Sequence, residues 1–331
     1  MQHILVCLDC SDLSEQVIPY AMTLARGLDA KITVLHVLEK PYSDSNTPMD
    51  CFEWEMQKNE AVRYLNTIKS DIANCGVPVT IETIEGLPAE QIYFWINTHS
   101  VDLTVLCSHG SKGKSQWPLA STTQKLIART PSAILLIPAK SLDKHESNDH
   151  NFNVFFRRLL VPLDGSSWAE SALPFAINIA KDQGSEVVLA HVIPESGITH
   201  IEPINPKGLM LEQHIRDYNW NVASHYLSQI ESRLQSTTNI SVNISRVNNH
   251  GVSHELIKIV DVQSIDIVVM SAYGDSNHQE QFCGKVALDF MEHSPVPVLL
   301  LRGLISQGER SIKTKYSSPE VISRLPSQAV L

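Results

Sequence analysis

The chain lacks the features that would place it in several large protein classes. No run approaches the ~20 consecutive apolar residues that a membrane helix needs, so a spanning protein is not expected. No basic segment with an apolar stretch precedes the first strand-like run at His3. A secretory leader is therefore not expected, and the expected compartment is the cytosol. Basic residues are in the minority: 26 Lys and Arg against 36 Asp and Glu leave a net charge of −10. That disfavours a long nucleic-acid interface, which needs clustered cations, but leaves room for a local anion site. The six cysteines are irregularly spaced and fit reduced, mostly buried thiols. The 14 histidines are scattered without zinc-site spacing, so core or surface roles are expected of them. Neither a G-x-S-x-G nucleophile elbow nor a Walker A lysine pattern occurs.

What the chain does have is a repetition. The opening HILVCLDCSDLSEQVIPYAMTLA is echoed by RLLVPLDGSSWAESALPFAINIA. Asp9 and Asp164 end the two opening strands, 155 positions apart, and His36-Val37 and His191-Val192 keep that shift. Asp102 and Asp266, then Gly110 and Gly274, lie 164 apart, so the second copy carries a nine-residue insertion in its middle. Such self-similarity sets the architecture before any side-chain chemistry is considered. Each copy alternates short apolar runs with helix-period segments, which predicts parallel strands joined by helices on both faces of a sheet. In the first copy, residues 14–28 read as one helix with Val17, Tyr20, Ala21 and Leu24 on one face, and residues 50–75 as a longer helix. The matching helices of the second copy fall near 168–183 and 209–236, and Trp54 and Trp220 on the long helices read as packing anchors. The expected division is a first domain over 1–139, a polar linker over 140–156, a second domain over 157–303 and a tail without apolar periodicity over 304–331. Both fifth strands, SAILLIP and VPVLLLR, are apolar and would form sheet edges that invite association.

The order of elements, the aspartate after the first strand and the glycine loop after the fourth resemble the universal stress protein (UspA-like) family, in tandem two-domain form. The family pattern G-x2-G-x9-G-[ST] is met as Cys107-x2-Gly110-x9-Ala120-Ser121 and as Ser271-x2-Gly274-x9-Gly284-Lys285. The resemblance covers about 300 residues in words of sequence pattern, as two copies of one unit. It implies two doubly wound α/β domains of adenine nucleotide α-hydrolase-like fold, each with a five-stranded parallel sheet of order 3-2-1-4-5. The ligand crevice then lies where strand order reverses, between strands 1 and 4.

The resemblance also implies a stress-response regulator that binds ATP or AMP, with Mg2+, mainly through the first domain. Asp9 and a backbone group of Val37 would hold the nucleoside. Gly110, Ala120, Ser121 and Thr122 would face the phosphates at a helix N-terminus, with Lys112 and Lys114 near. In the second domain Asp164, Val192, Gly274, Gly284 and Lys285 take these places, but Lys285 replaces the hydroxyl and Asp275 and Glu280 make the loop acidic. Thr123 offers a further hydroxyl to the first site. The alternative is a protein-interaction module with both loops decayed, in which Asp9 and Asp164 merely cap the first helices. An enzyme reading, at most slow ATP hydrolysis, would rest on those two aspartates alone. Cys7-x2-Cys10 straddles a strand and a turn, unlike a redox pair opening a helix, and is expected to be structural. Fifth-strand pairing in the family implies an intramolecular pseudo-dimer, with homodimerisation and protein partners left open.

Overall fold

Runs such as Ile4-Leu5-Val6 and Leu159-Leu160-Val161 are buried at every position. Only a strand covered on both faces satisfies such a run, and the computed structural model builds it that way. The structure describes residues 1–39, 51–110, 119–139, 154–194, 206–234, 239–247, 251–274 and 283–302. The first repeat runs β1 (His3–Leu8), α1 (Asp12–Glu15), α2 (Ile18–Leu28), β2 (Lys31–Leu38), α3 (Cys51–Asn74), β3 (Val79–Glu85), α4 (Pro88–Thr98), β4 (Leu103–Cys107), α5 (Ser121–Arg129) and β5 (Ala133–Ile137). The second runs β6 (Arg158–Pro162), α6 (Ser167–Glu170), α7 (Leu173–Gln183), β7 (Glu186–Ile193), α8 (Pro206–Leu234), β8 (Asn239–Arg246), α9 (Val252–Val262), β9 (Ile267–Ser271), α10 (Lys285–His293) and β10 (Val298–Leu301).

The ten strands form one sheet of order β3-β2-β1-β4-β5-β10-β9-β6-β7-β8. Each half has the expected 3-2-1-4-5 order, and within each half all pairings are parallel. The halves meet through one antiparallel pair, with Val298, Leu299 and Leu300 opposite Leu136, Leu135 and Ile134. The two apolar edges thus cover each other. One core on the α2, α3, α7 and α8 side runs continuously through both halves, and a second does so on the α4, α5, α9 and α10 side.

Three expectations need correction. The helix expected over 14–28 is broken into α1 and α2, and that over 168–183 into α6 and α7. Pro19 and Pro174 enter the first turn of the second segment, where the missing N–H is harmless, and a helix running through them would lose a bond there. The last residues of the expected linker, 154–156, are packed. Phe156 is buried against Tyr20, and Val154 exchanges hydrogen bonds with the Thr23 hydroxyl (3.1 and 3.3 Å). The rest of that linker and the tail from 304 lie outside the described residues. Trp54 is a packing anchor, buried with Leu38 and Ala61, but Trp220 is exposed, with the Arg246 guanidinium 5.0 Å from its ring. Among the described residues no helix is long and apolar enough to cross a membrane.

Candidate functional site

β1 stops at Leu8 and β4 at Cys107, and the chain leaves these neighbouring strands in opposite directions across the sheet. Asp9 and Gly110 meet at this switch point. A Cβ placed on Gly110 would overlap Asp9 Oδ2, and one on Gly274 would overlap Asp164 Oδ2 in the same way. The other carboxylate oxygen is spoken for. Asp9 Oδ1 accepts from the Ser11 amide (3.2 Å) and hydroxyl (2.5 Å), and Asp164 Oδ1 from the Ser166 amide (3.0 Å) and hydroxyl (2.6 Å). The helix caps are therefore Ser11 and Ser166, whose hydroxyls accept from the amides of Ser14 and Ala169. The aspartates do not cap. They orient the capping serines with one oxygen and turn the second toward the loop glycine, which corrects the simple capping alternative.

The loop re-enters at the N-termini of α5 and α10. Ala120 (φ −65, ψ 149) and Gly284 (φ −68, ψ 152) have the same extended backbone, so alanine at 120 carries no left-handed strain. Each amide donates to the strand end below it, Ala120 to Ser108 O (2.9 Å) and Gly284 to Ala272 O (2.7 Å). Among the described residues neither helix has a side-chain cap on its first-turn amides. Ser121 and Lys285 are exposed first residues of these helices, and Thr122 is half-buried. Thr123 is not available to a ligand, because its buried hydroxyl donates to Cys107 O (3.1 Å). Lys112, Lys114, Asp275 and Glu280 lie outside the described residues.

Val37 and Val192 lie near the C-terminal ends of β2 and β7 with their side chains buried. The preceding histidines have a role that sequence reasoning missed. His36 Nδ1 donates to Leu8 O and His191 Nδ1 to Leu163 O, both at 2.8 Å, so each pins the carbonyl ahead of the aspartate. The signal was the shared 155-residue shift of His-Val in both copies. Cys10 occupies a left-handed position (φ 61) where the second repeat has Gly165 (φ 89), and its Sγ lies 3.5 Å from His36 Nδ1. Burial, then Asp9 and Glu15, push the Cys10 thiol up to about 11, and burial pushes Cys7 and Cys107 up as well. Thiols held protonated are poor nucleophiles, in keeping with a structural Cys7-x2-Cys10.

The mouths of the two crevices differ. The first has His109, whose Nδ1 is 2.9 Å from the Ser108 hydroxyl. The second has Tyr273, edge-on to Trp168 at 5.6 Å between ring centres. Sequence reasoning missed Trp168 and Tyr273, since each stands where the first repeat has an unrelated residue, Leu13 and His109. Among the described residues, one group of three possible metal ligands, Asp289, Glu292 and His293, lies on the last turns of α10, at the opposite end from Gly284.

Comparison with known proteins agrees with this architecture. The model of the universal stress protein family matches residues 1–138 and again 155–302. Universal stress protein MJ0577 of Methanocaldococcus jannaschii is 24% identical over 160 residues, covering 45% of this chain and 97% of the relative. Universal stress protein A of Escherichia coli is 29% identical over 142 residues, covering 42% and 95%. A crystal structure of a universal stress protein from Archaeoglobus fulgidus has the same fold across both repeats, with TM-score 0.63 at 17% identity over 91% of this chain and 98% of that one. With its sheet order, its paired aspartate and loop glycine, and a family match over both halves, the chain belongs to the universal stress protein family.

Proposed function

We propose that the protein is a stress-linked regulator that binds adenine nucleotide, chiefly in the crevice of the first repeat. The observation that carries this reading is the contact between Gly110 and Asp9 beside the uncapped N-terminus of α5. A side chain on residue 110 would fill the space, and a carboxylate beside a cluster of amide donors suits a molecule with ribose hydroxyls at one end and phosphates at the other. Asp9 and the Val37 backbone would hold the nucleoside. The amides at Ala120, Ser121 and Thr122, the Ser121 hydroxyl and Lys112 would hold the phosphates. Mg2+ would enter on the phosphate oxygens, its preferred ligands. The second crevice, formed by Asp164, Val192, Gly274, Gly284 and Lys285, would bind more weakly, because a cation on the first residue of a helix opposes the dipole.

A second reading, a partner-binding module, is favoured by one surface. From Met210 to Val222 no side chain of α8 is buried, and Met210, Leu211, Tyr218 and Val222 are exposed. Titration calorimetry with MgATP on the intact protein separates the two readings. A binding isotherm that weakens about tenfold in Ser121→Ala, the effect of losing one hydrogen bond to a charged group, supports the first. An absence of heat in the unmodified protein overturns it in favour of the second.

A further inference from the structure

The nucleoside end of each crevice borders the next strand of the sheet. Val37 pairs in register with Ile84 of β3, and Val192 with Ser245 of β8. The helices that follow these strands, α4 and α9, pack their apolar faces into one core with Val37 and Val192. The two helices match residue for residue. Both have 11 residues, and the buried Ile92, Trp95 and Ile96 of α4 correspond to the buried Leu256, Ile259 and Val260 of α9. In the first turn this alignment sets Gln91 against Glu255.

Both side chains reach the strand ends. A Cβ on Gly86 would come within 2.8 Å of Gln91 Nε2, so the carboxamide rests against the residue that follows β3. The Gly86 amide in turn donates to Leu38 O (2.9 Å), the carbonyl next after Val37. Glu255 is buried, only 6% exposed, and its Oε1 accepts from the Ser245 hydroxyl (2.5 Å) and from Lys258 Nζ (3.3 Å). Ser245 is the residue opposite Val192. A buried carboxylate is costly without such donors, and the packing of the helix does not require one, since the first repeat has a neutral side chain there. The substitutions go together: Ile84, Gln91 and Phe94 of the first repeat stand where the second has Ser245, Glu255 and Lys258.

The two groups suit different bases. A carboxamide carries a donor beside an acceptor, which matches adenine, where the 6-amino group stands beside a ring nitrogen. A carboxylate carries acceptors only. It matches guanine, whose N1–H and 2-amino group are adjacent donors, and it meets the bare N1 of adenine with like charge. We infer that Glu255 makes the second crevice a site for guanine nucleotide, while Gln91 gives the first its preference for adenine. This rests on the nucleotide reading of the crevices and adds to it the base that each one takes. The weaker binding of ATP by the second crevice then has two causes, Lys285 at the phosphates and Glu255 at the base.

Titration calorimetry of the full-length chain with MgGTP and MgATP tests it one crevice at a time. Gly110→Ala closes the first crevice, and the remaining site should bind MgGTP at least about tenfold tighter than MgATP, because a site built to pair with a group rejects the analogue that lacks it. Adding Glu255→Gln should reverse that order. Gly274→Ala closes the second crevice, and MgATP should then lead. Adding Gln91→Glu should move the ratio of affinities at least about tenfold toward MgGTP. Gln91 is only half-buried, so its variant carries the test if Glu255→Gln does not fold. A ratio of GTP to ATP affinity that is the same with Glu and Gln at these positions overturns the inference and leaves the nucleotide reading standing. Absence of heat with both nucleotides in the unmodified chain overturns the two together.

Discussion

The two repeats share their backbone almost element for element and differ most where a ligand would lie. Both break their first helix at a proline, cap it with a serine held by an aspartate, and pin the strand end with a histidine. Ala120-Ser121 corresponds to Gly284-Lys285, His109 to Tyr273, Cys10 to Gly165 and Pro138 to Arg302. The shared features are those that make a β-strand end and a helix start meet correctly. The differing ones change charge, donors and aromatic surface while leaving the path of the chain alone. A duplicated fold can thus keep a geometry in both copies while its chemistry diverges.

The largest expected effect tests the shared part. Leu135 and Leu299 face each other across the antiparallel β5–β10 pair, both buried. Either Leu→Ala change should cost about 3 kcal/mol, the usual range for a core leucine truncation. Because the side chains are in one contact, the double variant should cost less than the sum, by at least about 0.5 kcal/mol. Denaturant unfolding followed by circular dichroism would show it. Full additivity, or two separate transitions of which each variant moves one, would mean that the halves are held together by something other than this seam.

Next comes the crevice itself. Gly110→Ala places a methyl on Asp9 Oδ2 and should cut MgATP affinity about a hundredfold, the equivalent of about 2.7 kcal/mol. Gly274→Ala makes the same clash with Asp164 and should leave the tighter site untouched. Calorimetry on both variants decides whether the first repeat is the principal site. If Gly274→Ala were the more damaging, the preference would be reversed.

How much of this could be read from the chain follows from where the information is local. The repeat shifts of 155 and 164 matched Asp9 to Asp164 and Gly110 to Gly274, and the strand order implied by the family resemblance then placed each aspartate against its loop glycine. Hydrophobic runs likewise marked every strand. Ser11 and Ser166 were hidden behind their aspartates, since either residue type caps a helix and only the hydrogen bonds distinguish them. Thr123 looked like a ligand hydroxyl because its rotation about α5, which turns it to Cys107 O, is not visible in a Ser-Thr-Thr run. Arg302, which donates to Ile127 O, could not be found, because that partner lies in the other repeat.

Acid should separate the repeats. His3 is buried at the start of β1, with Nδ1–H donated to His99 O (3.1 Å) and Nε2 placed 2.9 Å from the Thr33 hydroxyl, which continues to Thr80 (2.8 Å). The neutral ring is fully satisfied. Burial lowers its pKa below the ordinary 6.5, helped by Lys31 and opposed by the His99 carbonyl and Asp102. The unfolded chain therefore takes up this proton at a higher pH than the folded one. Stability is complete above about 6.5 and declines as pH falls below it. The matching residue of the second repeat is Arg158, exposed and paired with Glu186 at 2.9 Å, so no such decline arises there. In His3→Gln the dependence of Tm on pH between 6.5 and 5 should flatten. An unchanged slope would place the acid sensitivity elsewhere.

The smallest effect concerns a single backbone torsion. Cys10 holds φ 61 where Gly165 holds φ 89, and a side chain in the left-handed region costs about 1 kcal/mol or more. Cys10→Gly relieves that cost but adds freedom to the unfolded chain, worth about 0.5–1 kcal/mol, so the gain should be only a few tenths. The reverse exchange, Gly165→Cys, should cost about 1 kcal/mol and reproduce the first repeat's turn. The thiol gives a sharper readout than the stability. Raised from 9.0 to about 11, Cys10 holds roughly a hundredth of the thiolate of an ordinary cysteine near neutrality, and since a more basic thiolate is the better nucleophile it should react with a disulfide reagent about tenfold more slowly than in the unfolded chain despite its exposure. Asp9→Asn removes the stronger of the two charge effects that raise it, and should speed the reaction without making it ordinary, since burial is the larger cause. If Asp9→Asn left the rate unchanged, the carboxylate would be too well shielded from Cys10 to govern its chemistry, and the difference between Cys10 and Gly165 would be one of backbone alone.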